Sequence, residues 1–157
     1  MLNGIVEKKR QEVERAKQEK PLMEFKNHIK KGTFAFHTAI TRNSWALIAE
    51  CKLTSPLKRR LCVTHAESQL AQVYTANGAS ALSVHTDKHF KGILESISAV
   101  RAVTHLPILR KDFIIDAYQI YESRWMGADA ILLIAAVLTE EEIEAYLRIA
   151  KELDLCK

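Results

Sequence analysis

LPILRKDFIIDAYQIYESRWMGADAILLIAAVL, residues 106–138, decides how this chain folds. It opens on an apolar run (106–113) and closes on another (128–138), and neither alternates cleanly between apolar and polar residues. Between them, 116–126 places Ile120, Tyr121, Trp125 and Met126 at helical spacing, as core or sheet-facing residues, with Asp116 able to cap and Gly127 to stop the helix. Short unalternating runs fit strands covered on both faces. Strand, helix, strand in this form implies a parallel sheet.

The same grammar extends outward. WALIAEC (45–51) and ASALSVHT (79–86) supply two more runs, and further amphipathic helical stretches cover 65–77, 93–103 and 140–153. Asn77-Gly78 is a helix stop, Thr64 a candidate cap, and Thr139 with Glu142 forms a capping-box pair. Residues 45–157 therefore read as four β/α units of an α/β fold. Residues 1–44 read as a helical extension: a helix over 3–20 between Asn3 and Pro21, a second helical stretch over 22–30, and a short helix around 35–41. The first helix has only a thin stripe of Ile5, Val6, Val13 and Ala16. Lys8, Lys9 and Arg10 alternate with glutamates, so it is expected on a surface with its charges salt-bridged.

Composition narrows the function. Of the 157 residues 48% are hydrophobic and 27% charged, which suits a soluble domain with a core and argues against disorder. A net charge of +4 permits an anionic small molecule but does not call for nucleic acid, since the basic residues do not gather on one aromatic-lined face. Cys51, Cys62 and Cys156 form neither a disulfide framework nor a zinc motif. The stretch MLNGIVEKKRQEVERAKQEK lacks an apolar signal core, and the longest apolar run, 130–138, is far short of a membrane span. A cytoplasmic protein in a reducing compartment is expected. The segment after the first run, KLTSPLKRR (52–60), has no glycine, which removes the support for a dinucleotide or phosphate loop.

Ligands of parallel α/β folds sit at the C-terminal strand ends. Period 2 puts Glu50 and Lys52 on one side of the first strand with Cys51 turned away, and Lys111 with Phe113 on one side of the third, opposite Arg110 and Asp112. Lysines in a partly desolvated mouth can donate a proton or bind an anion, and a carboxylate can hold one ammonium in place. The simpler alternative makes Glu50–Lys52 and Arg110–Asp112 solvated ion pairs. Lys58, Arg59 and Arg60 can meet a phosphate or form a wet surface; Phe90 can stack on a planar ligand or plug a gap. His85 and His89 are four apart without an obvious third ligand, so a metal site is not expected. Serine nucleophile chemistry has no His/Asp partner at suitable spacing.

Four stretches in order, ALIAECKLTSP (46–56), ALSVHTD (81–87), LPILRKDFIIDAYQIYESR (106–124) and GADAILLIAAVL (127–138), closely resemble the indole-3-glycerol phosphate synthase family. The resemblance implies a (β/α)8 TIM barrel and a lyase of tryptophan biosynthesis. It would close 1-(2-carboxyphenylamino)-1-deoxyribulose 5-phosphate to indole-3-glycerol phosphate with loss of CO2 and water, using neither metal nor organic cofactor. By motif, Lys111 matches the general acid, Lys52 the lysine that engages the anthranilate carboxylate, and Glu50 the supporting carboxylate. Ser55 and Pro56 match loop residues lining the substrate site; Phe90 and Phe113 match aromatic walls. Leu57 stands where the family commonly has serine, Arg59 and Arg60 where the loop commonly has glycine, and Ile93 where serine commonly follows the glycine.

Eight units of about 28 residues plus the extension would need roughly 270 residues in a complete barrel. The expectation is thus a half-barrel, the first four units, with its first and fourth strands as uncovered edges. The family's general-base glutamate and main phosphate loops would lie on later strands. Activity would then be very low unless a second chain supplied or covered the missing half. The alternative is a catalytically incompetent fragment acting only in structure or assembly. An isomerase on a related barrel would want an Asp/Cys acid–base pair at opposing strand ends, which is not found.

Overall fold

The computed structural model describes residues 2–53 and 66–157. Expectations on Ser55, Pro56, Leu57, Lys58, Arg59, Arg60, Cys62 and Thr64, and on Asn3 as a cap, lie outside the described residues and side chains. The four apolar runs form one parallel sheet in chain order: β1 (Ile48–Cys51), β2 (Ala81–His85), β3 (Ile108–Lys111) and β4 (Ala130–Ile131). Each crossover carries a helix: α4 (Glu67–Ala76), α5 (Glu95–Arg101) and α6 (Ala117–Met126), with α7 (Glu140–Glu152) after β4. This is the pattern of the first half of a TIM barrel.

Alternation along each strand sorts the two faces. Ala49, Cys51, Leu82, Val84 and Ile108 pack outward against Ala71 of α4 and Ile97 and Val100 of α5. Ile131 joins Ile120, Tyr146 and Ala150 on α6 and α7. The opposite face is covered at its lower end, where Ala81, Leu109 and Ala130 meet Phe36 and Ile40 of α3 (Ala35–Thr41). Its upper end carries the polar residues.

Several expectations are corrected. The run 128–138 is not a long strand: pairing covers only Ala130 and Ile131, because Val137 N bonds back to Ile134 O and Leu133, Val137 and Leu138 pack in the α7 cluster. The fourth strand is not an uncovered edge either. Ile131 N donates to Cys156 O and Cys156 N to Asp129 O, both at 3.0 Å, so Leu155–Cys156 begin a fifth parallel position. At the other edge Trp45, Leu47 and Ile48 are exposed.

The third correction concerns α1 (Leu2–Glu19), whose charges do pair along the helix, as Lys9 with Glu12 and Lys17 with Glu14, but which does not lie wholly on the surface. Ile5, Lys9 and Val13 form a buried stripe at spacing four, with a lysine in its middle. The helix is held to α6 by Lys17 Nζ on Asp116 Oδ2 (2.7 Å) and by the Tyr118 hydroxyl, which donates to Lys20 O (3.0 Å). The stretch 22–30 divides into α2 (Leu22–Phe25) and a 3-10 turn (Lys26–His28), and buried Phe25 packs edge-on against Tyr118 at 5.7 Å. Trp125 is not core: it is 39% exposed, beside Phe25, with Lys20 Nζ 3.4 Å from its ring centre.

Candidate active site

The register decides which strand-end residues meet. Glu50 lies opposite Ser83, and His85 opposite Lys111, so these four share the upper inner face. Lys52 follows β1 directly. Cys51 points the other way into the core, where burial pushes its thiol up to about 12 and leaves it no nucleophile at neutral pH.

The loop after β2 is folded tightly onto the strand end. Asp87 accepts from His89 N at 3.0 Å, its carbonyl accepts from Gly92 N at 3.0 Å, and Lys91 adopts a left-handed φ of +58°. A Cβ on Gly92 would lie 2.5 Å from His85 O, so only glycine allows this approach. The turn sets the Phe90 ring 5.4 Å from the His85 ring and 5.1 Å from Lys52 Nζ. After β3, Phe113 is fixed through its backbone: its N–H donates to Asp112 Oδ1 (2.8 Å) and its carbonyl accepts from Gln119 Nε2 (3.0 Å).

These elements enclose a cavity of about 180 Å³ lined by Glu50, Lys52, His85, Asp87, Phe90, Lys111, Asp112, Phe113 and Ile134. Five of the seven candidates, Glu50, Lys52, Phe90, Lys111 and Phe113, thus line one cavity; Ser55 and Pro56 are outside the described residues. The solvated Glu50–Lys52 pair is not formed. Glu50 Oε1 instead meets His85 Nε2 at 2.7 Å, and among the described residues no carboxylate pairs with Lys52 or Lys111.

Arg110 and Asp112 are not a solvated pair but a buried one. The Arg110 guanidinium donates to Asp112 Oδ2 (3.0 Å), Glu122 Oε2 (2.8 Å) and Ser123 Oγ (3.1 Å), which anchors β3 to α6 and leaves Lys111 facing inward. Lys9 closes the network from α1, with Nζ 2.8 Å from Asp87 Oδ2 and 2.9 Å from Asp112 Oδ1. Burial opposes ionisation of Asp112, but Arg110 and Lys9 outweigh it and hold its carboxyl below the usual range. A larger cavity of about 460 Å³ lies between α1, α5 and α6. Lys9 and Arg110 in its lining are already ion-paired, and Lys20 sits over the Trp125 ring. The smaller one sets two lysines without carboxylate partners, among the described residues, beside two phenylalanines and is the better candidate for an aromatic anion.

Sequence reading passed over two members. His85 was given a role only as a weak metal candidate, and Ser83 none at all; both are buried, and among the described residues Ser83 Oγ and His85 Nδ1 lack a hydrogen-bond partner. Period 2 from Lys111 and the strand pairing was the available signal, but register is not legible in one strand. Among the described residues no group of three His, Cys, Asp or Glu is placed to hold a metal, and no helix is long and apolar enough to cross a membrane.

A family model described as indole-3-glycerol phosphate synthase matches residues 2–156. Curated proteins of that name are similar: from Chlorobium phaeovibrioides, 43% identical over 159 residues (98% of this chain, 62% of that protein); from Polaromonas naphthalenivorans, 41% over 162 (99% and 62%); and from Petrotoga mobilis, 41% over 155 (98% and 56%). The chain spans about three-fifths of the length of these relatives.

Proposed function

Because this chain belongs to the indole-3-glycerol phosphate synthase family, we propose that its cavity serves the decarboxylating ring closure of 1-(2-carboxyphenylamino)-1-deoxyribulose 5-phosphate. The product is indole-3-glycerol phosphate, with CO2 and water released, and the work belongs to the cytoplasm. The reaction joins the ring carbon that bears the carboxylate to the ribulose carbonyl carbon. An acid must protonate the carbonyl oxygen, which later leaves as water, and a cation must hold the carboxylate until it departs.

Lys111 is assigned the acid and Lys52 the carboxylate contact. Phe90 and Phe113 supply flat apolar walls for the anthranilate ring, and Glu50 supports the charged set. Ser55 and Pro56 line the same site in this reading, and residues 45–157 form its half of the barrel behind the 1–44 extension. One observation carries the proposal: two lysines without carboxylate partners, among the described residues, share one cavity with two phenylalanines. The test is fluorescence-monitored turnover of the carboxyphenylamino substrate. The parent should turn it over and Lys111→Ala should lose about 10²- to 10⁴-fold; equal rates in the two would overturn the assignment.

A second reading is favoured by the exposed Trp45, Leu47 and Ile48 at the β1 edge. In it the chain is an incompetent half-barrel that acts in structure or assembly, and a second chain covers that edge. Absence of both turnover and anthranilate binding would favour it.

A further inference from the structure

His85 stands in the cavity at a cost that a plain apolar residue would not carry. Its side chain is 7% exposed, and Nδ1 is buried without a partner among the described residues. A buried polar atom left unpaired calls for a reason to keep the residue. The reason lies on the other nitrogen. An ionised carboxylate can only accept, so the 2.7 Å bond to Glu50 Oε1 places the ring proton on Nε2.

Glu50 has competing partners. Lys52 is on its own side of β1, and Lys111 lies opposite His85 in the register, so two ammonium groups share the cavity with the carboxylate held by His85. Left to itself, the Glu50 carboxylate would pair with one of them and cancel the positive charge an anion needs. We propose that His85 is a positioning residue, which captures Glu50 and thereby keeps Lys52 and Lys111 free to receive a carboxylate. This deepens the functional reading above and rests on it for the identity of the anion.

The surroundings suit a neutral donor. Burial holds the imidazole below its ordinary pKa against the pull of Glu50, and Lys52 and Lys111 reinforce that lowering. Phe90 covers the ring at 5.4 Å and fixes its plane. The mechanism is one of withholding: His85 touches no reacting atom and acts through Glu50.

The experiment measures binding of anthranilate, by its own fluorescence, at pH 7.5. His85→Leu should weaken binding about five- to tenfold as Glu50 turns to a lysine. Adding Glu50→Gln to His85→Leu should restore anthranilate binding, though not the part Glu50 plays in turnover, to within about twofold, since no carboxylate is left to compete. Undiminished binding in His85→Leu, or failure of the rescue, overturns the proposal, because a space-filling role would not be rescued. A second measurement needs neither ligand nor the histidine variants. In the parent, imidazole NMR should show the Nε2–H tautomer, and Glu50→Gln should lower the His85 pKa. A pKa unmoved by Glu50→Gln overturns the proposal whatever anthranilate does. If the coupling is present while the parent binds no anthranilate, the functional reading fails and the His85–Glu50 pairing stands.

Discussion

Lys9 occupies the position where an apolar residue would complete the buried stripe of α1, and its ammonium is committed to Asp87 and Asp112. Lys9→Met keeps the volume and removes the charge, leaving two buried carboxylates short of a cation. We expect a loss of about 3 kcal/mol, measured by urea unfolding. The pH dependence follows from the direction of the shifts. Asp112 is depressed, so its contribution is complete above about pH 4, the unfolded carboxylate value, and drains as pH falls through the lower folded value. Lys9 is raised, so its contribution is complete below about pH 10 and is lost only on further rise. The difference between parent and Lys9→Met should therefore narrow below about pH 4. Legibility at this scale was uneven. That Glu50, Lys52 and Lys111 face one cavity was legible because strand-end position and period 2 are local properties. Lys9 was misread because its neighbours are charged, and the pull of two distant carboxylates leaves no mark beside it in the chain.

Capped helices were legible to within a residue, as 116–126 and 140–153 show against α6 and α7, whereas the uncapped 93–103 shrinks to α5, Glu95–Arg101. Thr139 Oγ1 accepts from Glu142 N (3.2 Å) and Glu142 Oε2 from Thr139 N (2.8 Å), and α7 begins at the next residue. Thr139→Ala should cost about 1 kcal/mol in a denaturation midpoint. Gly127, at φ +102°, closes α6 as its composition predicts. Strands were over-read. WALIAEC and ADAILLIAAVL are apolar but for Glu50 and Asp129, yet the ladder takes Ile48–Cys51 and Ala130–Ile131, because pairing partners set its length. The loop after β2 is the element on which the site depends most. In Gly92→Ala the new Cβ must displace the His85 carbonyl, at a cost of about 2 kcal/mol. Phe90 should move with it, so anthranilate affinity should fall together with stability in this variant, whereas Thr139→Ala should leave affinity intact.

At the scale of the molecule, the sheet is finished unequally. Beside β4 the chain lays down Leu155 and Cys156, whereas β1 presents Trp45 (73% exposed), Leu47 and Ile48 to solvent. An exposed apolar edge associates unless it is charged or covered. Sedimentation velocity should show self-association that grows with concentration, and Leu47→Lys should suppress it; a monomer at all concentrations would mean that this edge is inert. The α/β class and the four-unit order were legible because they follow from alternating periods, while the fifth position and the seating of α1 arise from contacts between distant parts of the chain. That seating has a temporal consequence. Lys17 reaches Asp116 across 99 residues, and the Tyr118 hydroxyl reaches Lys20 across 98. At about 5–20 residues per second, the first helix leaves the ribosome many seconds before any surface exists to receive it. It waits as a charged, self-sufficient segment and docks late. That order explains how a helix half made of lysine, arginine and glutamate can still bury a stripe: it stays harmless while alone and becomes adhesive only when β3 and α6 arrive.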